Sequence, residues 1–309
     1  MEVAHDLAAL ERPRRGSAVT IGAYDGVHVG HQQLLARLRE VAAARGCTSA
    51  VVTFDRHPAL VVRAASAPKL LTDLETKLEL LAATGVDLTV VVHFDKARSE
   101  EPAEDFVRTV LVDGLDARVV AVGSDFHFGH NREGNVAFLN RIGPALGFEV
   151  LPIELFADGR GPEKVSSTAV RAALGNGDVT TAGRLLGRPH RVRGIVVSAD
   201  PGEEPLVEVV VPAELCLPAD GVYAGWYERP DGTVHGCAIN LGRRPTFYEH
   251  ADHSLLEAHL LDFDGDLYGE RAEVRFVHFL RSERTFDGVD ALGTQLKHDI
   301  ESARHVLGI

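Results

Sequence analysis

The chain has 309 residues, 45% of them hydrophobic and 25% charged, enough apolar material for two globular domains rather than one. Its formal net charge of −13 argues against broad electrostatic binding to nucleic acid or anionic membrane, so the expected partners are small molecules and the oligomeric state stays open. Cys47, Cys216 and Cys237 are too few and too scattered for a disulfide framework or a CxxC metal knuckle, and without a signal-like N-terminus or a run of about 18 apolar residues the expected location is cytoplasmic.

Five short β-branched runs come first: AVTIGA (18–23), SAVVTF (49–54), LTVVVHF (88–94), ARVVAVG (117–123) and FEVLPI (148–153). Continuous apolar runs of this length read as buried strands. Helical spacing lies between them. Leu34, Leu35, Leu38, Val41 and Ala42 keep an i, i+3, i+4 pattern after Gly30, and LETKLELLAATG (74–85) ends in a glycine suited to close a helix. The alternation predicts an α/β domain built on a parallel sheet with helices on both faces.

The character changes near residue 190. VRGIVVS, PLVEVVVP, GVYAGWY, TVHGCAIN, LLEAHLLDF and AEVRFVHFL follow one another with turn residues between them and no helix, a pattern that predicts a small antiparallel β-barrel. A final helix, roughly 287–307, carries Val289, Leu292, Leu296, Ile300, Ala303 and Leu307 on one stripe. LGRPHRVRG (186–194) marks the boundary, giving domains 1–186 and 187–309.

The densest constellation is TIGAYDGVHVGH (20–31), where a strand turns sharply into a helix. Gly22, Gly26 and Gly30 allow positive φ and close backbone approach. A helix starting near Gly30 aims its free N–H groups at the crevice, and His28 and His31 add donors beside that anion site. Transfer of a nucleotidyl group needs no protein nucleophile; it needs an attacking phosphate held in line and donors for the charge that grows on the phosphorus and the leaving pyrophosphate. Two other readings stay open on these residues alone. Asp25, His28 and His31 are zinc-ligand types but lack a clear further ligand, and an Asp-Gly turn can simply carry surface histidines.

TIGAYDGVHVGHQQLL resembles the nucleotide-binding signature of prokaryotic FAD synthetases, the bifunctional riboflavin kinase/FMN adenylyltransferase family, close to G-x-F-D-G-x-H-x-G-H with Tyr24 where phenylalanine is usual. TFDRHP (53–58) is similar to T-F-D-P-H-P, with Arg56 replacing proline. GSDFHFGHNREGN (123–135) is similar to G-x-D-F-x-F-G-x-x-R-x-G, and VSSTAVRAAL (165–174) to I-S-S-T-x-I-R-x-x-L. The resemblance implies a Rossmann-like nucleotidylyltransferase domain in which Gly22, Ala23, Tyr24, Asp25, Gly26 and Gly30 turn around the nucleotide. It implies that His28, His31 and Arg171 serve catalysis, while Ser166, Ser167 and Thr168 join Arg171 in gripping ATP phosphates. Asp55, His57, Pro58, Asp125, Phe126, Phe128 and Arg132 would form the flavin side, although Phe126 and Phe128 also read as plain core. The substrates implied are ATP and FMN, with Mg²⁺ carried by ATP and no resident metal site.

The barrel resembles the family's riboflavin kinase module through LPADGVYAGWY (217–227), AINLGRRPTF (238–247) and LLEAHLLDFDGDLYGE (255–270), which puts Glu257 in the place of the kinase base. A carboxylate beside His259 is chemically able to act as one, and alternation puts both on one side of the strand. One landmark is missing. The family's G-x-G-R-G-x-x-L-G-x-P-T-A-N loop, which wraps ATP in the kinase, is replaced by VVSADPGEEPLVEVVVPAEL (196–215), with Gly202, Glu203 and Glu204 where the cradle belongs; RPTF (244–247) is a separate motif and no substitute. Acids facing a triphosphate repel it. The expectation is an FMN adenylyltransferase whose kinase base is vestigial. A bifunctional enzyme, a paralogue acting on a flavin analogue and a non-catalytic flavin sensor are the alternatives.

Overall fold

The computed structural model describes every residue except 6, 8, 9, 154–164, 201–205, 243–254 and 287, and the side chains of residues 198–200 and 289 are likewise left aside. The chain forms two compact units, Met1–Ser166 and Ser167–Ile309.

The first unit runs β1 (Glu2–Ala4), β2 (Ser17–Ile21), α1 (Val29–Arg45), β3 (Thr48–Phe54), α2 (Ala59–Val62), α3 (Leu74–Ala83), β4 (Leu88–Val92), α4 (Lys96–Ser99) and α5 (Ala103–Phe106), which widens into a π-helix over Val107–Gly114. Then come β5 (Ala117–Gly123), the short strands β6 (His127–Phe128) and β7 (Gly134–Asn135), α6 (Val136–Leu146) and β8 (Glu149–Ile153). Six strands pair in parallel in the order β1-β4-β3-β2-β5-β8. The two-residue alternation of a strand splits the core in two. Val19, Ile21, Val52 and Val120 face α5, its π-helical extension and α6, whereas Ala18, Val51, Val119 and Ala121 face α1 and α3.

Two details differ from the sequence reading. β1 adds an edge strand too short to leave a pattern. FEVLPI forms the opposite edge and is half exposed, so Pro152, opposite Val122, sits where a missing N–H costs no ladder bond. From β2 the chain lays strands outward on one side through β3 and β4, then returns to place β5 on the other side of β2. That is a topological switch point, and ligands of open parallel sheets bind outside the strand C-termini there.

The second unit opens with α7 (Ser167–Gly175) and α8 (Val179–Leu186), which pack on each other, α8 also on the barrel. By packing these helices go with the barrel, whereas the sequence changes character only after Leu186. Strands β9 (His190–Asp200), β10 (Leu206–Val210), β11 (Gly221–Glu228), β12 (Val234–Gly242), β13 (Leu255–Leu260) and β14 (Arg271–Arg281) close a barrel in the order β10-β13-β12-β11-β14-β9, antiparallel throughout. Val207, Ala258, Ile239 and Tyr223 pair across successive strands and are all fully buried inside. Helix α9 (Val289–Leu307) covers the outer wall, with Leu296, Ile300, Ala303 and Leu307 packed on Ala224 and Ala238. The expected stripe is shorter than predicted, because Leu292 is exposed.

Candidate functional site

After Ile21 the chain leaves the sheet through a turn that most side chains would not choose. Tyr24, Gly26 and Val27 all have positive φ, at 50°, 81° and 39°. For a β-branched valine this is strained backbone, and it persists only where neighbours over-determine it. Here they do. The buried Asp25 carboxylate accepts from the N–H of Leu71 at 2.9 Å and of Thr72 at 3.2 Å, the Gly26 N–H donates to Thr72 Oγ1 at 3.2 Å, and Gln32 Nε2 donates to the Val27 carbonyl at 2.9 Å. Asp25 thus ties the turn to residues 71–72.

The turn delivers His28 to the N-cap of α1, where its Nδ1 accepts from the His31 N–H at 3.3 Å. With Nδ1 accepting, the proton of a neutral His28 sits on Nε2. The two imidazoles stack at 3.6 Å and 13°, and the Tyr24 ring lies 4.9 Å from that of His31. Burial holds His31 well below the usual imidazole range, and the nearness of His28 adds to it. His31 is therefore neutral at physiological pH, and its buried Nδ1 has no hydrogen-bond partner among the described residues. The first turn of α1 carries no acidic side chain. A helix N-terminus, a stacked histidine pair and an unsatisfied ring nitrogen are chemically able to receive an anion with acceptor oxygens. Among the described residues no three His, Cys, Asp or Glu are grouped as metal ligands.

Beside this turn, over the C-terminal ends of β2 to β5, lies a cavity of about 640 Å³, a size suited to a cofactor-like molecule. Gly22 and Ala23 line it, with Phe54, Phe94, Phe106, Phe126 and Phe128 supplying apolar walls, His57 and Pro58 another side, and Lys96, Arg98 and Arg132 its cations. Phe126 and Phe128 stack at 5.4 Å and also pack on the sheet core, so they are core and wall at once. Gly129 has φ +72°, and a Cβ there would meet that of Ala103 at 2.6 Å; only glycine lets this loop dock on α5.

Two of the residues assigned to the flavin side do not line the cavity. Asp55 braces the end of β3 to the end of β4, accepting from the Phe94 N–H at 2.9 Å and meeting His93 Nδ1 at 2.7 Å. Partial burial pushes its carboxyl up, but these bonds and Arg56 outweigh that and hold it below the usual range. Asp125 is exposed, and its main-chain carbonyl meets His127 Nδ1 at 2.8 Å.

Sequence reasoning missed Lys77. It occupies an apolar-stripe position of α3, three residues after Leu74 and four before Leu81, and is only 7% exposed. Its Nζ donates to the carbonyl of Phe54 at 2.7 Å and of Ala23 at 3.4 Å. The signal was present as a lysine inside the buried face of an otherwise ordinary amphipathic helix.

In the second unit Ser167 opens α7 with Ser166 immediately before it; Thr168 is exposed and Arg171 half-buried, on a helix that buries Val170, Ala173 and Leu174. Glu257 on β13 is buried and accepts from Asn240 Nδ2 at 3.1 Å. The register places His259 opposite Ala238, on the same wall as Glu257 opposite Asn240. Gly202, Glu203, Glu204 and the RPTF segment lie outside the described residues; downstream, Leu206–Val210 is barrel wall, with Val207 and Val209 buried. Among the described residues no helix is long and apolar enough to cross a membrane.

Residues 10–169 match the family described as FAD synthetase, and residues 186–307 the family described as riboflavin kinase. The bifunctional riboflavin kinase/FMN adenylyltransferase of Haemophilus influenzae is 34% identical over 98% of both chains, and that of Escherichia coli K12 is 36% identical over 99% of this chain and 96% of its own. A solved structure described as a macrolide-efflux protein from Streptococcus pneumoniae shares the fold, with a TM-score of 0.82, 27% identity and 98% of each chain covered. Its description speaks of that protein only. With both family matches in chain order and relatives similar from end to end, the chain belongs to the bifunctional riboflavin kinase/FMN adenylyltransferase family.

Proposed function

We propose that the chain transfers the adenylyl group of MgATP to FMN, giving FAD and pyrophosphate in the cytoplasm, and that its barrel no longer phosphorylates riboflavin. The observation that carries the first half is the His28–His31 stack at the N-terminus of α1, next to a phenylalanine-walled cavity at the switch point. The apolar walls suit an isoalloxazine ring, and Arg132 offers countercharge to its phosphate, whereas Lys96 and Arg98 are paired with Glu100 and Glu101 of the same lining.

In the reaction an FMN phosphate oxygen attacks the α-phosphorus of ATP. One P–O bond forms there while the bond to the β-phosphate breaks in line, and pyrophosphate leaves with the electron pair. No protein nucleophile takes part. The N–H groups of the first turn of α1 and the imidazole donors are suited to the charge that grows on the transferring phosphorus, the role expected to dominate such catalysis. Mg²⁺ enters with ATP, held by phosphate oxygens and water, as that ion prefers. The resemblance of VSSTAVRAAL supports giving Ser166, Ser167, Thr168 and Arg171 to the ATP phosphates.

The second half rests on the sequence between 196 and 215, where acids replace a phosphate-wrapping loop. One observation favours a retained kinase instead: Glu257 is held by Asn240 as an oriented base would be. Offering riboflavin and FMN separately with MgATP and resolving the products decides between them. FAD from FMN with no product from riboflavin supports the proposal. FMN formed from riboflavin overturns the loss of kinase activity, and no FAD from FMN overturns the transferase reading.

A further inference from the structure

Parallel strands end with carbonyl oxygens pointing at the ligand crevice, and here the expected ligands are polyanions. Something must offset that negative edge. Among the described residues Lys77 is the only buried lysine or arginine of the first unit, and both carbonyls it bonds belong to residues that line the cavity, Ala23 and Phe54. The Ala23 carbonyl also accepts from Thr53 Oγ1 at 3.3 Å, so Lys77 and Thr53 fix the ends of β2 and β3 against each other. Two acids face Lys77 from elements packed against α3: Asp25 from the turn after β2 and Asp55 from the end of β3.

We propose that Lys77 is a positioning residue for adenylyl transfer, its ammonium locking the carbonyl ends of β2 and β3 and balancing Asp25 and Asp55 beneath the phosphate site. The role rests on the transferase reading above. Burial lowers the amine to about 8 against the pull of the two aspartates, so the ammonium predominates at neutral pH and is lost just above it. Once neutral, Lys77 gives up two charge-assisted bonds and leaves two carboxylates uncompensated below the phosphates. Activity then falls with rising pH. Stability moves the other way, because a buried amine whose value is lowered favours the fold as it becomes neutral. A lysine that only held the fold together would not lower the rate per folded molecule while the protein became more stable.

The test is kcat/KM for FMN, which reports groups of the free enzyme, measured on the full-length protein from about pH 6.5 to about 9.5 beside K77M, with thermal melts at each pH. The expected wild-type profile breaks near pH 8 and falls roughly tenfold per pH unit beyond it, while K77M is about tenfold or more slower at pH 7 and shows no such break. A wild-type profile flat across this range, or a K77M variant that keeps both rate and break, overturns the proposal. Should K77M fail to fold, the wild-type profile decides alone. No FAD at any pH overturns the transferase reading itself, whereas FAD formed with a flat profile overturns only the role of Lys77.

Discussion

Tyr24 Oη lies 2.8 Å from Thr20 Oγ1, both buried beneath the turn that carries the histidines. This bond accounts for a departure from the family signature. A phenylalanine would need no partner here, but a tyrosine hydroxyl does, and the strand residue four positions earlier supplies it. Burial pushes the phenol far above its ordinary value, the Thr20 bond only partly opposing this. The buried side chain also packs its ring 4.9 Å from that of His31.

That pairing gives the first prediction. Thr20→Val strands a buried hydroxyl and costs about 2 kcal/mol, Tyr24→Phe costs about 1, and the double variant returns to within about 1 of wild type, since two apolar partners leave nothing unsatisfied. Denaturant midpoints around the cycle measure this. Additive losses in the double variant contradict the pairing.

His31→Ala removes a donor from the transfer site without touching the flavin walls. The expected loss is roughly 10²- to 10³-fold in kcat, with KM for FMN little changed. His28→Ala combines a similar loss with that of the α1 cap, worth about 1 kcal/mol of stability. Steady-state FAD formation and a thermal melt separate the two. Full activity in a folded His31→Ala protein excludes this site.

How much of this was legible beforehand depended on whether a residue's job is local. The strands 18–23 and 117–123 and the HVGH turn were readable because continuous β-branched runs and a glycine-punctuated strand end are sequence-local signals. Asp25, Asp55 and Lys77 were not readable in the same way. Asp25 answers to residues 71–72, Asp55 to 93–94 and Lys77 to the carbonyls of 23 and 54, partners that only the fold brings near. A motif gave Asp25 and Asp55 ligand roles, and the bonds they make across the fold are a separate fact that no motif carries. Phe126 and Phe128 stayed ambiguous in sequence for a related reason, since a wall residue over a sheet is core on one side and site on the other.

Gly129→Ala tests that wall. The methyl group meets Ala103 at 2.6 Å and the backbone sits at φ +72°, so the loop must lift from α5 and carry Phe128 and Arg132 with it. The expected result is an FMN affinity about tenfold weaker, equivalent to about 1.4 kcal/mol, with the ATP dependence unaltered. Flavin fluorescence titration measures it, and an unchanged dissociation constant speaks against loop and cavity being coupled.

The barrel carries its own pH sensitivity in His190, which is 2% exposed with Nε2 at 2.8 Å from the Cys216 carbonyl. Burial lowers this imidazole to about 4; the Cys216 bond opposes the shift and Arg188 adds to it. The folded barrel thus prefers the neutral ring, while the unfolded chain takes up a proton near 6.5. The stabilisation is fully present above 6.5 and is lost as pH falls from there toward 4, about 3 kcal/mol at roughly 1.4 kcal/mol per pH unit. His190→Gln keeps a donor for the Cys216 carbonyl and removes the titration. The chain has a single tryptophan, Trp226 on β11, so its fluorescence reports the barrel. Urea midpoints followed by that signal at pH 7 and about pH 4.5 should show the wild type losing about 2 kcal/mol more than the variant. Equal losses would place the acid sensitivity of the barrel in other groups.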